Sequence, residues 1–122
     1  ETPQQNLQQK QRIFFAGDTG YSDDFKAIGQ RFGYMDLSLI PIGAYEPRWF
    51  MKEMHVNPDE AVQIHRDVNS RRSIAMHWGS FPLTDEPLDK PPRALEIAKR
   101  RYQISQDEFT TVAHGEIVSF AE

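Results

Sequence analysis

The 122-residue sequence contains no cysteine, which excludes disulfides, thiolate metal ligands and thiol nucleophiles. It also lacks an apolar run near the ~20 residues that a transmembrane helix needs, and it lacks a signal-peptide pattern. Lys and Arg number 14 against 18 Asp and Glu, so nucleic acid is not an expected partner. We expect a cytoplasmic chain without a transmembrane segment, and peripheral contact with a membrane stays open as an alternative.

What the sequence does contain is an alternation of strand-like and helix-like apolar segments. Residues 1–11 are polar and glutamine-rich, so we interpret them as a tail or a hairpin arm before one domain at 12–122. Strands are predicted at 12–16, 36–42 and 73–76, helices at 22–32, 57–71 and 93–102, and closing strands at 108–113 and 116–120. The order β-α-β-α-β-α-β-β predicts an α/β fold, with residues 82–92 as a turn-rich loop.

Two predicted strands end in residues that commonly bind metals. Asp18 follows the first strand and His77 follows the third, and strands joined by crossovers bring such residues to one edge of a sheet. A carboxylate and an imidazole suit a zinc-like ion. The structural alternative, which spacing alone favours, is that Asp18 caps a helix and His77 is a hydrogen-bonded buried histidine.

The remaining histidines carry weaker signals. His55 lies in an aromatic loop, where it could face a substrate or solvent. His65 lies within a predicted helix, on a face expected to be partly exposed, and His114 ends a predicted strand. Structural or surface roles are expected for both. From the residues alone, the chain displays no complete catalytic constellation.

Four linked motifs suggest a family. They are FFAGDTGY from Phe14 to Tyr21, IGAYEPRWFM from Ile42 to Met51, HVNPDEA from His55 to Ala61, and AMHWGSF from Ala75 to Phe81. In this order and spacing they closely resemble the C-terminal half of the N-acyl-phosphatidylethanolamine-hydrolysing phospholipase D family, within the metallo-β-lactamase-fold hydrolases. The resemblance implies the C-terminal half of an αββα sandwich, with a mixed sheet and helices on one face.

The resemblance also implies roles for individual residues. Asp18 would bridge two zinc ions in the complete family site, and His77 would bind one of them. His55 would act with Asp18 in catalysis as a substrate-site histidine rather than a metal ligand. Further substrate-binding residues in the aromatic loop would be Tyr45, Glu46, Arg48 and Trp49. The implied reaction is metal-assisted hydrolysis of a phospholipid or another phosphodiester.

The chain departs from the family in one respect. The His-x-His-x-Asp-His loop and a further histidine ligand belong to an N-terminal half that this sequence lacks. We therefore expect zinc binding to be partial or absent in this chain alone, and activity to require that half. One face of the sheet would stay uncovered unless the missing half, a second copy or a separate chain packs on it.

Two other interpretations stay open at the sequence level. A free-standing half-domain could act without catalysis as a self-associating binding or structural module, because the chain has no complete ligand set of its own. The weaker of the two is an ordinary α/β binding domain that shares only its architecture with the family. The length of the sequence match from Tyr45 to Met51 argues against it.

Overall fold

A parallel sheet of four strands forms the centre of the molecule. The structure is a computed structural model that describes residues 10–120. The strands are β1 (Ile13–Phe15), β2 (Leu37–Pro41), β3 (Ser73–Met76) and β4 (Phe109–Thr110), and they lie in the order β1-β2-β3-β4. Each neighbouring pair is parallel. The predicted tail or hairpin arm falls almost entirely outside the described residues.

Helices cover one face of this sheet. They are α1 (Asp24–Phe32), α2 (Arg48–Met51), α3 (Pro58–Asp67) and α4 (Lys90–Arg101). Helix α3 packs against α1, α4 and β2, so the main helices form a single layer. No helix in residues 10–120 is both long and apolar enough to cross a membrane.

Helix α3 starts as its sequence predicts. The Asn57 side chain accepts a hydrogen bond from the Glu60 backbone N–H at 2.8 Å, and the Glu60 side chain accepts one from the Asn57 N–H at 3.1 Å. Pro58 occupies the first helical position, where no backbone donor is needed. This reciprocal capping satisfies two donors that a helix start otherwise leaves without partners.

The two faces of the sheet differ in burial. Phe14, Ile40 and Ala75 point toward the helices, and Ile40 is fully buried. On the other face, Ile13 and Phe15 are 65% and 63% exposed, and the register continues this face through Leu39 and Ile74. One side of the sheet therefore presents apolar side chains that are exposed at β1 and half-buried at Leu39 and Ile74.

The predicted α/β class with helices on one face is confirmed, but the sheet is parallel rather than mixed. The mixed sheet was implied by the family resemblance, whereas every strand pair in residues 10–120 is parallel. Of the two closing strands predicted at 108–113 and 116–120, only Phe109–Thr110 forms. A turn joins the two segments, since the Glu116 N–H donates to the Ala113 carbonyl at 3.0 Å, but the chain beyond it leaves the sheet.

Two further predictions are wrong. Helix α4 begins at Lys90, within the predicted loop, because Pro91 and Pro92 fall in the first turn, where a helix tolerates proline. His65 is 2% exposed rather than partly exposed, because its Nδ1 lies 2.7 Å from the Ser73 hydroxyl of β3 and its ring packs on Phe109. Burial lowers the pKa of His65, although the nearby Glu108 carboxylate opposes this effect.

Candidate metal centre

Three residues with metal-binding side chains meet at the carboxyl edge of the sheet. Asp18 follows β1, His77 follows β3, and His55 lies in the segment between α2 and α3. One ligand atom from each lies within 4.8 Å of the others, and Asp18 Oδ1 is 3.3 Å from His77 Nδ1. The structure thus brings together the three residues that the sequence proposed for metal binding and catalysis.

The position of His77 depends on a close approach between two strand ends. The Ile42 N–H donates to the Met76 carbonyl at 2.9 Å, which extends the β2–β3 ladder toward His77. Next to it, Gly43 lies so close that a Cβ there would be 1.7 Å from the His77 carbonyl oxygen. His77 itself adopts a φ of 61°, a strained conformation for a residue other than glycine. Such strain is concentrated at functional sites.

A cavity of about 530 Å³ opens at this cluster. Asp18, His55 and His77 lie among its polar lining residues, together with Thr84 and Glu86, and Trp78 and Ser80 continue the wall after His77. Most of the other lining side chains are apolar, namely Met51, Phe81, Leu83, Leu88 and two prolines. The volume and the lining residues of this cavity suit a ligand that has one polar group and an apolar body.

Glu86 fixes the loop that follows β2. Its carboxylate accepts hydrogen bonds from the backbone N–H groups of Ala44 at 2.8 Å and Glu46 at 2.9 Å, and from the Thr84 hydroxyl at 2.7 Å. Burial raises the pKa of Glu86, but these hydrogen bonds outweigh burial and hold the pKa below its usual value. No local sequence pattern pointed to this role, because the residue lies in a turn-rich segment.

The four predicted substrate-binding residues of the aromatic loop do not belong to the lining of this cavity. Tyr45 is buried, and burial together with the Glu86 carboxylate raises its pKa to about 12. Glu46 pairs with Lys90 at 3.1 Å. Arg48 donates to Glu60 at 2.6 Å and to the His55 carbonyl at 2.9 Å. Trp49 is 85% exposed and packs edge-on against Phe50.

The residues present fit a divalent transition metal. Asp18 and His77 offer a carboxylate and an imidazole, donor types that zinc takes in catalytic sites, and His55 lies beside them where a catalytic site keeps an open position. In addition, His55 Nδ1 is buried and has no hydrogen-bond partner within residues 10–120. A buried nitrogen without a partner is costly, and a bound ion or ligand would remove that cost. Sequence reasoning assigned no binding role to Ser80, Leu83 or Leu88, because Ser80 lies in a motif without an assigned function and the two leucines lie in the turn-rich segment.

Comparison with known proteins adds to this geometry. A sequence profile described as "Beta-lactamase superfamily domain" matches residues 6–78. The chain is 47% identical over 112 residues to N-acyl-phosphatidylethanolamine-hydrolyzing phospholipase D 1 of Caenorhabditis elegans, covering 89% of this chain and 32% of that protein. It is 32% identical over 89 residues to a UPF0173 metal-dependent hydrolase of Rubrobacter xylanophilus, covering 70% of this chain and 33% of that protein.

A solved structure shares the fold. The metallo-beta-lactamase fold protein of Bacillus subtilis superposes with a TM-score of 0.55 at 18% identity, covering 82% of this chain and 36% of that one. The chain therefore spans about a third of the length of the proteins that it matches.

Proposed function

Since the chain belongs to the beta-lactamase superfamily domain family, we propose that it forms the C-terminal half of a zinc-dependent phosphodiester hydrolase that acts on N-acyl phospholipids or related phosphodiesters. The observation that carries the proposal is the cluster of Asp18, His55 and His77 at the base of a largely apolar cavity. Relatives named as an N-acyl-phosphatidylethanolamine-hydrolysing phospholipase D and as a metal-dependent hydrolase support it.

In this proposal Asp18 and His77 hold zinc. Asp18 would hold the metal through its carboxylate oxygens, while His77 would contribute one ring nitrogen. Bound zinc would supply Lewis-acid stabilisation of charge on the phosphoryl oxygens. Two donors do not complete a zinc site, so the remaining ligands come from a segment or chain outside this sequence.

His55 faces the substrate in this proposal. Its backbone carbonyl accepts from Arg48, which also pairs with Glu60 at the start of α3, so a helix cap and an ion pair hold the segment on which His55 lies. An imidazole held in this way could move a proton to or from the reacting phosphodiester. Tyr45 and Glu46 form the loop behind this segment, and Trp49 would contact the substrate or its membrane from the exposed end of α2.

The uncovered sheet face gives the complementary half a place to pack. Ile13 and Phe15 of β1 are mostly exposed on this face, which contains apolar side chains from the neighbouring strands as well. Contiguous apolar surface of this kind marks an interface. We propose that the N-terminal half covers it. The same face supports the second candidate function, a self-associating module without catalysis in which another copy covers the sheet.

Reconstitution separates the two functions. The chain is mixed with the segment of the Caenorhabditis elegans relative that precedes the matched region, and hydrolysis of an N-acyl-phosphatidylethanolamine is followed with zinc present. The hydrolase proposal predicts activity only in the mixture, abolished by Asp18→Ala or His77→Ala and retained by the control Asp107→Asn, an exposed carboxylate outside the cavity lining. Restored activity that survives both alanine variants refutes the ligand assignment. A stable homodimer without activity in the mixture favours the module.

A further inference from the structure

A fourth histidine, His114, contacts the segment that follows His77. Its Nε2 is 3.5 Å from the Ser80 hydroxyl, and its ring centroid is 6.3 Å from that of Trp78. Gly79, between Trp78 and Ser80, has a φ of 76°, which glycine adopts without strain, and a Cβ there would make only ordinary van der Waals contact with the imidazole at 3.9 Å. Trp78, Gly79 and Ser80 all line the cavity that contains the metal cluster. His114 thus contacts a segment that lines the ligand space.

The fold holds His114 in this position. Pairing of Ile74 in β3 with Thr110 in β4 makes the segment after β4 run alongside the segment that leads to His77. A turn orders the backbone around His114, since the Ala113 N–H donates to the Glu116 carboxylate at 2.8 Å and the Glu116 N–H donates back to the Ala113 carbonyl. Gly115 in this turn has a φ of 83°, which glycine adopts without strain.

We propose that Ser80 and His114 form a phosphate-positioning pair, in which Ser80 donates its hydroxyl proton to a ligand phosphoryl oxygen and His114 orients that hydroxyl. This proposal rests on the proposed function, because it concerns the same cavity. A neutral imidazole nitrogen that carries a proton can donate to Ser80 Oγ, which leaves the serine proton free to point at an anion. The 3.5 Å separation is long for a hydrogen bond, and contacts of this kind commonly tighten when the ligand binds.

The pair has a specific place in the site. The metal-binding residues lie at the carboxyl ends of β1 and β3, whereas Ser80 lies three residues beyond His77 on the same wall. A phosphate group whose oxygens reach the cluster could direct another oxygen to Ser80. Ser80 would then be a ligand contact and His114 a positioning residue that acts through it.

The test is ligand binding by the chain, with glycerol 3-phosphate as the soluble probe and dihexanoyl phosphatidylethanolamine as the lipid probe. The zinc-loaded and zinc-free chains are titrated while the ¹⁵N-histidine ring signals are followed by NMR. We expect the His114 Nε2 signal to shift with both probes, and Ser80→Ala and His114→Ala each to weaken binding about tenfold, or about 1.4 kcal/mol. Tighter binding of the lipid probe would identify a lipid headgroup as the source of the phosphate.

Two comparisons distinguish positioning from a merely structural role. If His114 acts through Ser80, the double variant binds no more weakly than Ser80→Ala alone, and His114→Gln, whose amide nitrogen can replace Nε2, restores most of the affinity. Ser119→Ala, an exposed serine in the same terminal segment, serves as the control and keeps full affinity.

Failure of this inference is distinguishable from failure of the proposed function. Zinc binding that depends on Asp18 and His77, with probe affinity unchanged in Ser80→Ala and His114→Ala, overturns the pair alone. Dependence of probe binding on the pair, in a chain that binds no zinc even with the complementary segment present, supports the pair and contradicts the proposed metal centre. If the losses of probe affinity in Ser80→Ala and His114→Ala add up in the double variant, or if His114→Gln does not restore the affinity, the positioning role of His114 is overturned.

Discussion

Replacing Gly43 with alanine should separate the two strand ends that position His77. The added Cβ would lie 1.7 Å from the His77 carbonyl oxygen and 2.8 Å from its carbonyl carbon. Non-bonded heavy atoms ordinarily stay about 3.5 Å apart, so the backbones must move apart by about 1.8 Å. This movement would break the neighbouring hydrogen bond from Ile42 to Met76, now 2.9 Å long.

The expected cost is the sum of two contributions. Overpacking costs about 1–3 kcal/mol and the lost hydrogen bond costs about 1 kcal/mol, so we expect Gly43→Ala to lower the free energy of unfolding by about 2–4 kcal/mol. Urea unfolding followed by circular dichroism measures this loss, and zinc retention after dialysis reports on His77. We expect the variant to lose zinc as well as stability.

Gly33→Ala is the matched control. Gly33 has a φ of 84° and no heavy atom within 4 Å of an added Cβ, so its cost is conformational, about 1–2 kcal/mol. It lies at the end of α1, away from the cavity, and should leave zinc retention unchanged. The steric reasoning would be refuted if Gly43→Ala were no more destabilising than Gly33→Ala and retained zinc equally well.

Three further predictions concern stability. Asn57→Ala removes the N-cap of α3 and should lower the free energy of unfolding, measured in urea, by about 1 kcal/mol. An unchanged free energy of unfolding would show that the cap is dispensable. Tyr45→Phe removes a buried hydroxyl that has no hydrogen-bond partner in residues 10–120, so the free energy of unfolding should be unchanged or rise by up to about 1 kcal/mol. A clear loss of stability would show that the hydroxyl does have a partner. The folded chain holds the pKa of His65 below its ordinary value, so the unfolded chain takes up a proton first as the pH falls. The free energy of unfolding should be constant above about pH 6.5 and decrease as the pH falls from there toward the pKa of His65 in the folded chain. If His65→Gln showed the same pH dependence of unfolding, His65 would not be its cause.

Sequence patterns predicted the features that depend on local chemistry. Asn57, Pro58 and Glu60 form the start of α3 because each acts within four residues of chain. Asp18 and His77 were expected at one sheet edge because strands joined by crossovers run parallel, and the structure has them 3.3 Å apart. Their role as zinc ligands stays a prediction.

Features that depend on distant partners were beyond such patterns. The burial of His65 comes from Ser73 on a neighbouring strand and Phe109 on another, which helical periodicity cannot show. Glu86 carries no motif, yet it holds backbone N–H groups about 40 residues away in sequence. The contact between His114 and Ser80 likewise joins residues 34 positions apart.

The measurement that tests the central claim most directly is zinc binding by the purified chain, by equilibrium dialysis and elemental analysis with the molar mass in solution determined in parallel. Our account predicts weak zinc binding that Asp18→Asn and His77→Gln each abolish and that Asp107→Asn leaves intact. Adding the complementary segment should strengthen it. Zinc binding that persists in both ligand variants, or no zinc binding even with that segment present, would contradict the account.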